Sequence, residues 1–278
     1  MTATPQQDTT PALRHLRRAL AYAGPIEPLS GGRVNHVWRM GDRVAKLFRA
    51  GAATPLFPND PDVEWAALRA LAGTGIAPAP LMRITIEPGP VLIYRHIVGP
   101  SAVARAGDVA RILGRLHRIT APQSMPRGAT GPNILATGAA MIDAEDPLHL
   151  HRPAPPPDPP WQGFIHRDPV PTNIIAAGQA TRLIDFQCPA LGDPAEDLAH
   201  YLSPAMQILY GDGPLSGAEI ARFLAAYPDP AITAHYRRAA PALHWRMACY
   251  CQWQVDRGTM IYAGPRDAEL AYLSQLSG

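Results

Sequence analysis

The stretch FIHRDPVPTNII, residues 164–175, decides how the rest of the chain is interpreted. It places a histidine, an arginine, an aspartate and an asparagine between two apolar pairs. Asp168 and Asn173 are unusual beside strand-like residues, because a buried polar side chain needs a partner. Pro169 and Pro171 restrict the backbone between them. The stretch therefore indicates either a proline-stiffened turn or a loop that holds a metal ion and a reacting hydroxyl.

The composition is that of a globular protein of 278 residues, with 47% hydrophobic residues, 17% charged residues and a net charge of +2. No cluster of Lys and Arg forms a stripe, so we expect no nucleic-acid partner. No apolar run reaches about 18 residues, so we expect no membrane span. Three cysteines cannot form a disulfide framework, and the polar start of the chain lacks the apolar segment of a secretory signal. These features predict a cytoplasmic protein.

The order of predicted elements divides the chain in two. Residues 1–98 are predicted as short strands with one helix, and the pair Gly41–Asp42 is a good hairpin turn between two extended runs. Residues 99–278 are predicted to be mostly helical, in segments punctuated by Pro and Gly, with one small hairpin formed by NIIAAG and TRLIDF. The proline-rich segment 152–160 is predicted to be a stiff surface excursion or linker. We therefore expect an α+β fold, a strand-rich lobe followed by a helical lobe.

Two features of the strand-rich part could carry chemistry. The segment LSGGRVNHVW, residues 29–38, has glycines that would let backbone amides approach a phosphate, although an ordinary hairpin turn has the same composition. Lys46 lies inside the predicted strand RVAKLF and is either a strand-edge lysine or a buried cation that needs a carboxylate. Glu64, in the first turn of the next predicted helix, could supply that carboxylate or could only stabilise the helix dipole.

Two further features lie in the helical part. His166, Asp168 and Asn173 fit the pattern H-x-D-x₄-N, and Asp185 ends an apolar strand twelve residues later. A carboxylate at a strand end is a reasonable metal ligand, whereas each residue taken singly could be an Asx turn or a helix cap. Chance is a poor explanation for all four features in this order.

The set resembles the aminoglycoside phosphotransferase and choline/ethanolamine kinase family, which has a protein-kinase-like two-lobed fold. The resemblance implies an enzyme that uses ATP and Mg²⁺ to phosphorylate a hydroxyl of a small molecule. It implies that Asp168 and His166 are catalytic, and that Asn173 and Asp185 hold Mg²⁺. The residues expected to bind the nucleotide are Ser30, Gly31, Gly32, Asn35, Lys46, Glu64 and Tyr94. In GDPAEDLA, residues 192–199, Asp197 would brace the catalytic loop and Asp193 would cap the helix.

This sequence departs from the family pattern at positions that affect which acceptor is expected. The glycine loop lacks the full G-x-G-x-x-G of protein kinases, and no long activation loop follows Asp185, which favours a small-molecule kinase. Gln187 stands where choline kinases commonly carry an acidic residue, whereas DFQ is frequent in aminosugar-phosphorylating relatives. The acceptor should lie against the helical lobe, where aromatic faces and a carboxylate suit an ammonium group. The candidates there are Gln187, Trp245, Tyr250, Trp253 and Asp256, although the aromatic residues also have the spacing of a core helix.

The sequence therefore predicts a kinase of a choline- or ethanolamine-like amino alcohol, with an aminosugar, an aminoglycoside or thiamine as the alternative acceptor. A nucleotide-binding regulator resembling a pseudokinase is the alternative from a different class. The complete set of Lys46, Asp168, Asn173 and Asp185 argues against it, because such proteins usually lack one of these residues. A metal-dependent hydrolase lacks the additional His and carboxylate ligands that such sites gather.

Overall fold

The strands of the first hundred residues form one antiparallel sheet. The structure, a computed structural model, describes residues 10–29, 34–101 and 105–276. The order of the strands across the sheet is β1-β2-β3-β5-β4. The strands are β1 (Glu27–Pro28), β2 (His36–Met40), β3 (Arg43–Leu47), β4 (Pro80–Ile86) and β5 (Gly89–Arg95). The predicted antiparallel sheet at the start of the chain is thus confirmed.

The β2–β3 hairpin turns at Gly41 and Asp42, as the sequence predicts. Gly41 has a φ of +63°, a conformation that glycine adopts without the steric penalty of a Cβ atom. The register pairs Met40 with Arg43 and places Lys46 opposite Val37. On its other side β3 pairs with β5, so Lys46 lies in a central strand and not at the edge of the sheet.

Two helices cover the two faces of the sheet. Helix α1 (Thr10–Leu20) buries Leu16 against the face that carries Trp38 and Ile93. Helix α2 (Pro61–Ala70) begins at Asp60, whose side chain accepts hydrogen bonds from the first amides of the helix, and it packs on the opposite face. Because side chains alternate along a strand, each face of β5 contributes to a different cluster. Helix α2 is the helix that the sequence predicts between the strands.

The rest of the described chain is mainly helical. Its helices are α3 (Ala106–His117), α4 (Asn133–Ala139), α5 (Pro194–Leu202), α6 (Pro204–Tyr210), α7 (Gly217–Ala226), α8 (Pro230–Asp256) and α9 (Ala263–Leu276). Two small antiparallel pairs accompany them: β6 (Gly163–Ile165) with β9 (Ala190–Gly192), and β7 (Ile174–Ala177) with β8 (Ala180–Leu183). The β7–β8 hairpin is the one that the sequence predicts. The placement of the lobe boundary at residue 98 remains a prediction.

The longest helix departs from the prediction of segments interrupted at each proline. Helix α8 is 27 residues long and is not interrupted at Pro241. A proline inside a helix removes one backbone hydrogen bond, and the extensive burial of α8 against α4, α5 and α9 compensates for it. The segment 152–160 contains no helix or strand. Within the described residues, no helix combines the length and the apolar character needed to cross a membrane.

Candidate active site

Lys46 forms a buried ion pair with two carboxylates that come from distant parts of the chain. Its Nζ contacts the Glu64 carboxylate, as the sequence predicts, and lies 2.5 Å from Oδ1 of Asp185. Only 2% of the Lys46 side chain and 1% of the Glu64 side chain are exposed, whereas 27% of the Asp185 side chain is exposed. Burial alone would lower the pKa of Lys46, but Asp185 and then Glu64 outweigh it and raise this pKa above its ordinary value. Lys46 is therefore a fixed positive charge.

The loop between β6 and β7 brings Asp168 and Asn173 together. The Asn173 side-chain amide donates to the backbone oxygen of Asp168 at 2.9 Å and to its carboxylate Oδ2 at 3.2 Å. A short 3₁₀ turn, Pro171–Asn173, closes the loop. Burial, and then the charge of Asp185, raise the pKa of Asp168 well above its ordinary value. The carboxylate thus lies where it is poorly hydrated and where it can accept a proton.

His166 does not lie where a reacting group could reach it, which corrects its expected catalytic role. The residue is 0% exposed, and both ring nitrogens have partners. Nε2 donates to the backbone oxygen of Ile184 at 2.9 Å, and Nδ1 accepts the backbone N–H of Asp168 at 3.2 Å. Burial lowers the pKa of His166, so the ring is neutral in this arrangement. In this arrangement His166 positions the Asp168 backbone.

Asp197 holds the backbone that leads to Asp168, as the resemblance implies. Its carboxylate accepts the backbone N–H groups of His166 at 2.8 Å and Arg167 at 2.7 Å, and also contacts Nε2 of His117 at 2.9 Å. These donors keep the pKa of Asp197 below its ordinary value in spite of burial. Asp193 caps α5 by accepting from the backbone N–H of Ala195.

Arg167 is a functional-loop residue to which sequence reasoning assigned no role. Its Nε donates to Glu196 at 3.2 Å and its NH2 donates to the backbone oxygen of Leu56 at 3.1 Å. Arg246 of α8 lies 2.9 Å from the same Glu196 oxygen. Burial alone would raise the pKa of Glu196, but Arg246 and Arg167 lower it to about 2. The only sequence signal was Glu196, an acidic residue beside Asp197 in the first turn of α5.

A cleft of about 400 Å³ lies between the sheet and the loop that carries Asp168 and Asn173. Lys46 and Tyr94 line it from the sheet, and Asn173 and Asp185 line it from the helical part. The segment after β5 closes one side of the cleft: the backbone N–H of His96 is bonded to Asp42, whereas the Ile97 N–H has no hydrogen-bond partner among the described residues. Four of the expected nucleotide-binding and metal-binding residues therefore share one cavity.

The other expected nucleotide residues are placed differently. Ser30, Gly31 and Gly32 lie outside the described residues. Asn35 is 7% exposed and does not line the cleft among the described residues. Its amide donates to Asn59 at 2.8 Å and to the side-chain oxygen of Gln187 at 3.1 Å. Asn35 therefore fixes the chain beside the cleft, and direct contact with a nucleotide is not supported.

Several acceptor candidates also occupy other positions. Gln187 is 3% exposed and bonded to Asn35, so it does not face an acceptor. Trp245 is 0% exposed and donates to the backbone oxygen of Leu148, which makes it a core residue, as the alternative interpretation of its spacing proposed. Asp256 is exposed and accepts from Gln252 one turn earlier in α8. These three residues are not part of the cluster around Asp168.

Tyr250 and Trp253 of α8 do form an aromatic group on the side of Asp168. Their rings stack with centroids 6.1 Å apart, and Phe57 meets Tyr250 edge-on at 4.9 Å. Burial raises the pKa of the Tyr250 hydroxyl, with smaller contributions from groups nearby that include Asp168. The guanidinium of Arg257 lies 4.0 Å from the Trp253 ring centroid and covers one of its faces. Sequence reasoning missed Phe57, because its segment carries no motif.

The donor set fits a hard divalent cation. Asp185 uses one carboxylate oxygen on Lys46, and Asn173 uses its amide nitrogen on Asp168, so an oxygen of each remains available in the cleft. Oxygen ligands of this kind are those that Mg²⁺ prefers. In the described part of the chain, no group of three or more His, Cys, Asp or Glu side chains could hold a metal ion. The candidate site thus relies on one amide, one carboxylate and ligands from outside the protein.

Comparison with known proteins places this geometry in context. The sequence profile of the phosphotransferase enzyme family matches residues 25–241. No curated protein matches the chain significantly by sequence. A choline/ethanolamine kinase family protein from Mesorhizobium loti has a similar structure, with a TM-score of 0.70, 17% identity, and 96% of this chain and 94% of that chain covered.

Two other similar structures represent different acceptors. Choline kinase LicA from Streptococcus pneumoniae gives a TM-score of 0.65 and 16% identity, covering 95% of this chain and 98% of that chain. A spectinomycin phosphotransferase, solved in complex with ADP and spectinomycin, gives a TM-score of 0.62 and 14% identity with the same coverage. At these identities the likeness demonstrates the protein-kinase-like fold, which both enzyme groups share.

Proposed function

The chain belongs to the phosphotransferase enzyme family and is a small-molecule phosphotransferase, and we propose that it transfers the terminal phosphoryl group of Mg²⁺-ATP to a hydroxyl of an amino alcohol. One observation carries the proposal: the ion pair of Lys46 and Asp185 and the hydrogen-bonded pair of Asp168 and Asn173 meet at one cleft. Phosphoryl transfer requires mainly positioning and neutralisation of charge, which these four side chains can provide.

The nucleotide is proposed to occupy the 400 Å³ cleft. Its apolar lining from Leu29, Val37 and Val44 suits an adenine ring. The N–H of Ile97, which has no partner among the described residues, can donate to a ring nitrogen. One similar structure was solved with ADP and another with GDP and kanamycin, which supports the use of a purine nucleotide. Lys46 would contact the phosphates, because its charge is held at the inner end of the cleft by Glu64.

The loop that carries Asp168 and Asn173 would orient and activate the acceptor. Asp168 is proposed to orient the acceptor hydroxyl and to take its proton, while Asn173 fixes the carboxylate by donating to it. Asn173 and Asp185 would hold Mg²⁺, which when bound supplies the charge that neutralises the phosphate oxygens. Asp197 keeps the loop backbone in place through its two accepted N–H groups. No covalent intermediate on the protein is needed.

The amino alcohol is supported by the aromatic side chains of Phe57, Tyr250 and Trp253. The guanidinium of Arg257 already lies over the Trp253 ring, so this group suits a cation. An aminosugar or aminoglycoside is the second candidate. It is favoured by the neutral hydrogen-bonding side chain of Gln254, which donates to the Tyr250 hydroxyl at 2.7 Å, because a sugar presents several hydroxyls to such groups. We retain the proposal of a cytoplasmic location because Cys188, Cys249 and Cys251 are all free thiols.

The test is ADP formation with a panel of choline, ethanolamine, thiamine, glucosamine and kanamycin. Asp168→Asn keeps the shape of the side chain but removes the proton acceptor, so we expect the acceptor-dependent rate to fall by at least about 100-fold. The exposed Asp143→Asn serves as the matched control and should leave the rate unchanged.

Two outcomes would contradict the proposal. If the acceptor-dependent rate of Asp168→Asn were within a few-fold of the parent rate, Asp168 would not be a catalytic residue. Binding of Mg²⁺-ADP without acceptor-dependent turnover across the panel would instead favour a nucleotide-binding regulator over an amino alcohol kinase.

A further inference from the structure

A second cavity, of about 770 Å³, lies on the other side of the catalytic loop from the nucleotide cleft. Pro171 and Ile174 line this cavity, whereas Thr172, Asn173 and Ile175 line the nucleotide cleft. The 3₁₀ turn Pro171–Asn173 and the start of β7 therefore separate the two cavities. Its remaining walls are the start of α3, the end of α6, the α6–α7 loop and α7. We call it the arginine pocket.

Three arginines line the arginine pocket, together with two acidic residues. Arg105 and Arg222 form no salt bridge within the parts of the chain that the structure describes. Arg111 is paired with Asp108 at 2.6 Å. Of the two acidic lining residues, Glu219 accepts from the backbone N–H and the hydroxyl of Ser216, and Asp212 is exposed. The lining thus has three arginines and two carboxylates, and with Arg111 held by Asp108 the guanidinium groups of Arg105 and Arg222 are those available to a ligand.

The floor of the arginine pocket contains two buried polar side chains with unused hydrogen-bonding capacity. Tyr201 is 5% exposed and Gln207 is 4% exposed. The Gln207 amide nitrogen donates to the Tyr201 backbone oxygen at 2.6 Å. Neither the Tyr201 hydroxyl nor the Gln207 side-chain oxygen has a partner among the described residues. Both side chains line the pocket, so these two groups reach its interior and can bond to a polar molecule there.

The α3 helix adds donors at the same place. Its N-cap residue, Arg105, makes no side-chain capping hydrogen bond, and Ala106 and Gly107 line the pocket. The first amides of a helix lack acceptors inside the helix and carry partial positive charge. The helix is 12 residues long, so this end is a favourable position for an anion.

We propose that the arginine pocket binds a small hydroxylated molecule that carries a phosphate group. The guanidinium groups of Arg105 and Arg222 and the α3 amides suit a phosphate dianion, which accepts several charge-assisted hydrogen bonds at once. The Gln207 oxygen accepts a ligand hydroxyl, and the Tyr201 hydroxyl donates to one of the ligand oxygens. This site goes beyond the proposed phosphotransferase activity and does not depend on it. A ligand there lies against Pro171, within the loop that joins Asp168 to Asn173.

The experiment is calorimetric titration of the full-length protein with three molecules of the same carbon skeleton: glycerol 3-phosphate, glycerate and glycerol. The titrations are done with Mg²⁺-ADP at saturation so that the nucleotide cleft is filled. We expect glycerol 3-phosphate to bind with a 1:1 ratio, glycerate to bind at least 10-fold more weakly and glycerol not to bind. Glycerol 3-phosphate contains only the groups that the pocket is proposed to recognise, so its failure to bind would overturn the proposal.

Variants assign the binding to the arginine pocket. The double substitution Arg105→Gln and Arg222→Gln changes two exposed side chains and should weaken glycerol 3-phosphate at least 10-fold. Tyr201→Phe removes one hydroxyl and should weaken it several-fold, whereas the exposed Arg238→Gln on α8 should have no effect. Equal affinity in all variants, or equal binding of glycerate, would overturn the proposal. Because none of these residues lines the nucleotide cleft, the result is independent of whether ADP binds.

Discussion

Arg167 and Asp185 have φ angles of +67° and +66°, a conformation that side chains with a Cβ atom rarely adopt. Both lie in the candidate site, where such conformations are held by surrounding contacts. For Arg167 these contacts are the N–H bond to Asp197, the bond from His200 to its carbonyl oxygen and the side-chain bonds to Glu196 and Leu56. The backbone strain is therefore maintained by a network that reaches from α5 to the segment before α2.

This conformation predicts an unusual order of stability for two substitutions. Arg167→Ala and Arg167→Gly lose the same side-chain contacts, but only alanine keeps the Cβ atom that disfavours a positive φ. We expect Arg167→Gly to be more stable than Arg167→Ala by about 1 kcal/mol in urea unfolding. In the exposed helical position Arg237 the order should be reversed by about 1 kcal/mol. Equal or lower stability for Arg167→Gly would show that strain at this residue is negligible.

The sequence was sufficient to identify residues whose chemistry is written in a motif. Asp168, Asn173 and Asp185 lie at fixed spacing, and the pair of Lys46 and Glu64 follows from the rule that a buried cation needs a carboxylate. The sequence could not show that His166 is fully buried, because that depends on Phe186 and Ile184 folding over it. Which face of α8 carries buried aromatic residues likewise depends on the helices that pack against it.

At the scale of elements, local signals predicted the β2–β3 and β7–β8 hairpins and the start of α2, because turn residues and caps act within a few positions. The β6–β9 pair was missed, since Phe164 and Leu191 are 27 residues apart in sequence and no turn connects their strands. The continuation of α8 through Pro241 was also missed, because burial overrides the local preference of proline.

Helix α7 allows a prediction about a cap that sequence alone can recognise. Ser216 and Glu219 form a capping box, in which the serine hydroxyl accepts the Glu219 N–H and the glutamate accepts from Ser216. Ser216→Ala should lower the free energy of unfolding by about 1 kcal/mol. Ser274→Ala is the control, because its exposed hydroxyl bonds only to a carbonyl of its own helix, and it should change stability by less than about 0.5 kcal/mol. Equal losses in the two variants would contradict a specific contribution of the cap.

At the scale of the whole molecule, the sheet and the helical part are joined directly behind the candidate site. The N–H of Asp60 donates to the backbone oxygen of Gln187, and Asn35 donates to the Gln187 side chain. Arg167 donates to Leu56, which precedes α2. The segment that leads to Glu64 is therefore bonded to the loops that carry Asp168 and Asp185. None of these contacts follows a sequence motif, so the sequence could not predict how the two parts fit together.

The burial of His200, close to the contacts between the two parts of the chain, predicts how the stability of the protein changes at acidic pH. Burial and then Arg246 lower the pKa of His200 to about 4, against opposition from Glu196. Between about pH 6.5 and pH 4 the unfolded chain therefore binds more protons than the folded chain, so stability is complete above pH 6.5 and declines as the pH falls. The loss between pH 7 and pH 4.5 should be smaller in His200→Gln than in the parent by roughly 2 kcal/mol. The exposed His151→Gln should behave as the parent, and an unchanged loss in His200→Gln would refute this assignment.

Binding of Mg²⁺ and nucleotide in the cleft between the two parts predicts a metal-dependent change in stability. A ligand that binds only the folded state at 100 times its dissociation constant stabilises it by about 2.7 kcal/mol, so ADP with Mg²⁺ should raise the melting temperature by several degrees. Addition of EDTA should remove most of this increase, because Asn173 and Asp185 would then face the phosphates without the cation. In Asp185→Asn the melting temperature with ADP should no longer depend on Mg²⁺. The exposed Asp62→Asn is the matched control and should retain the dependence. An increase that is identical with and without EDTA in the parent protein would show that the nucleotide binds without the proposed metal site.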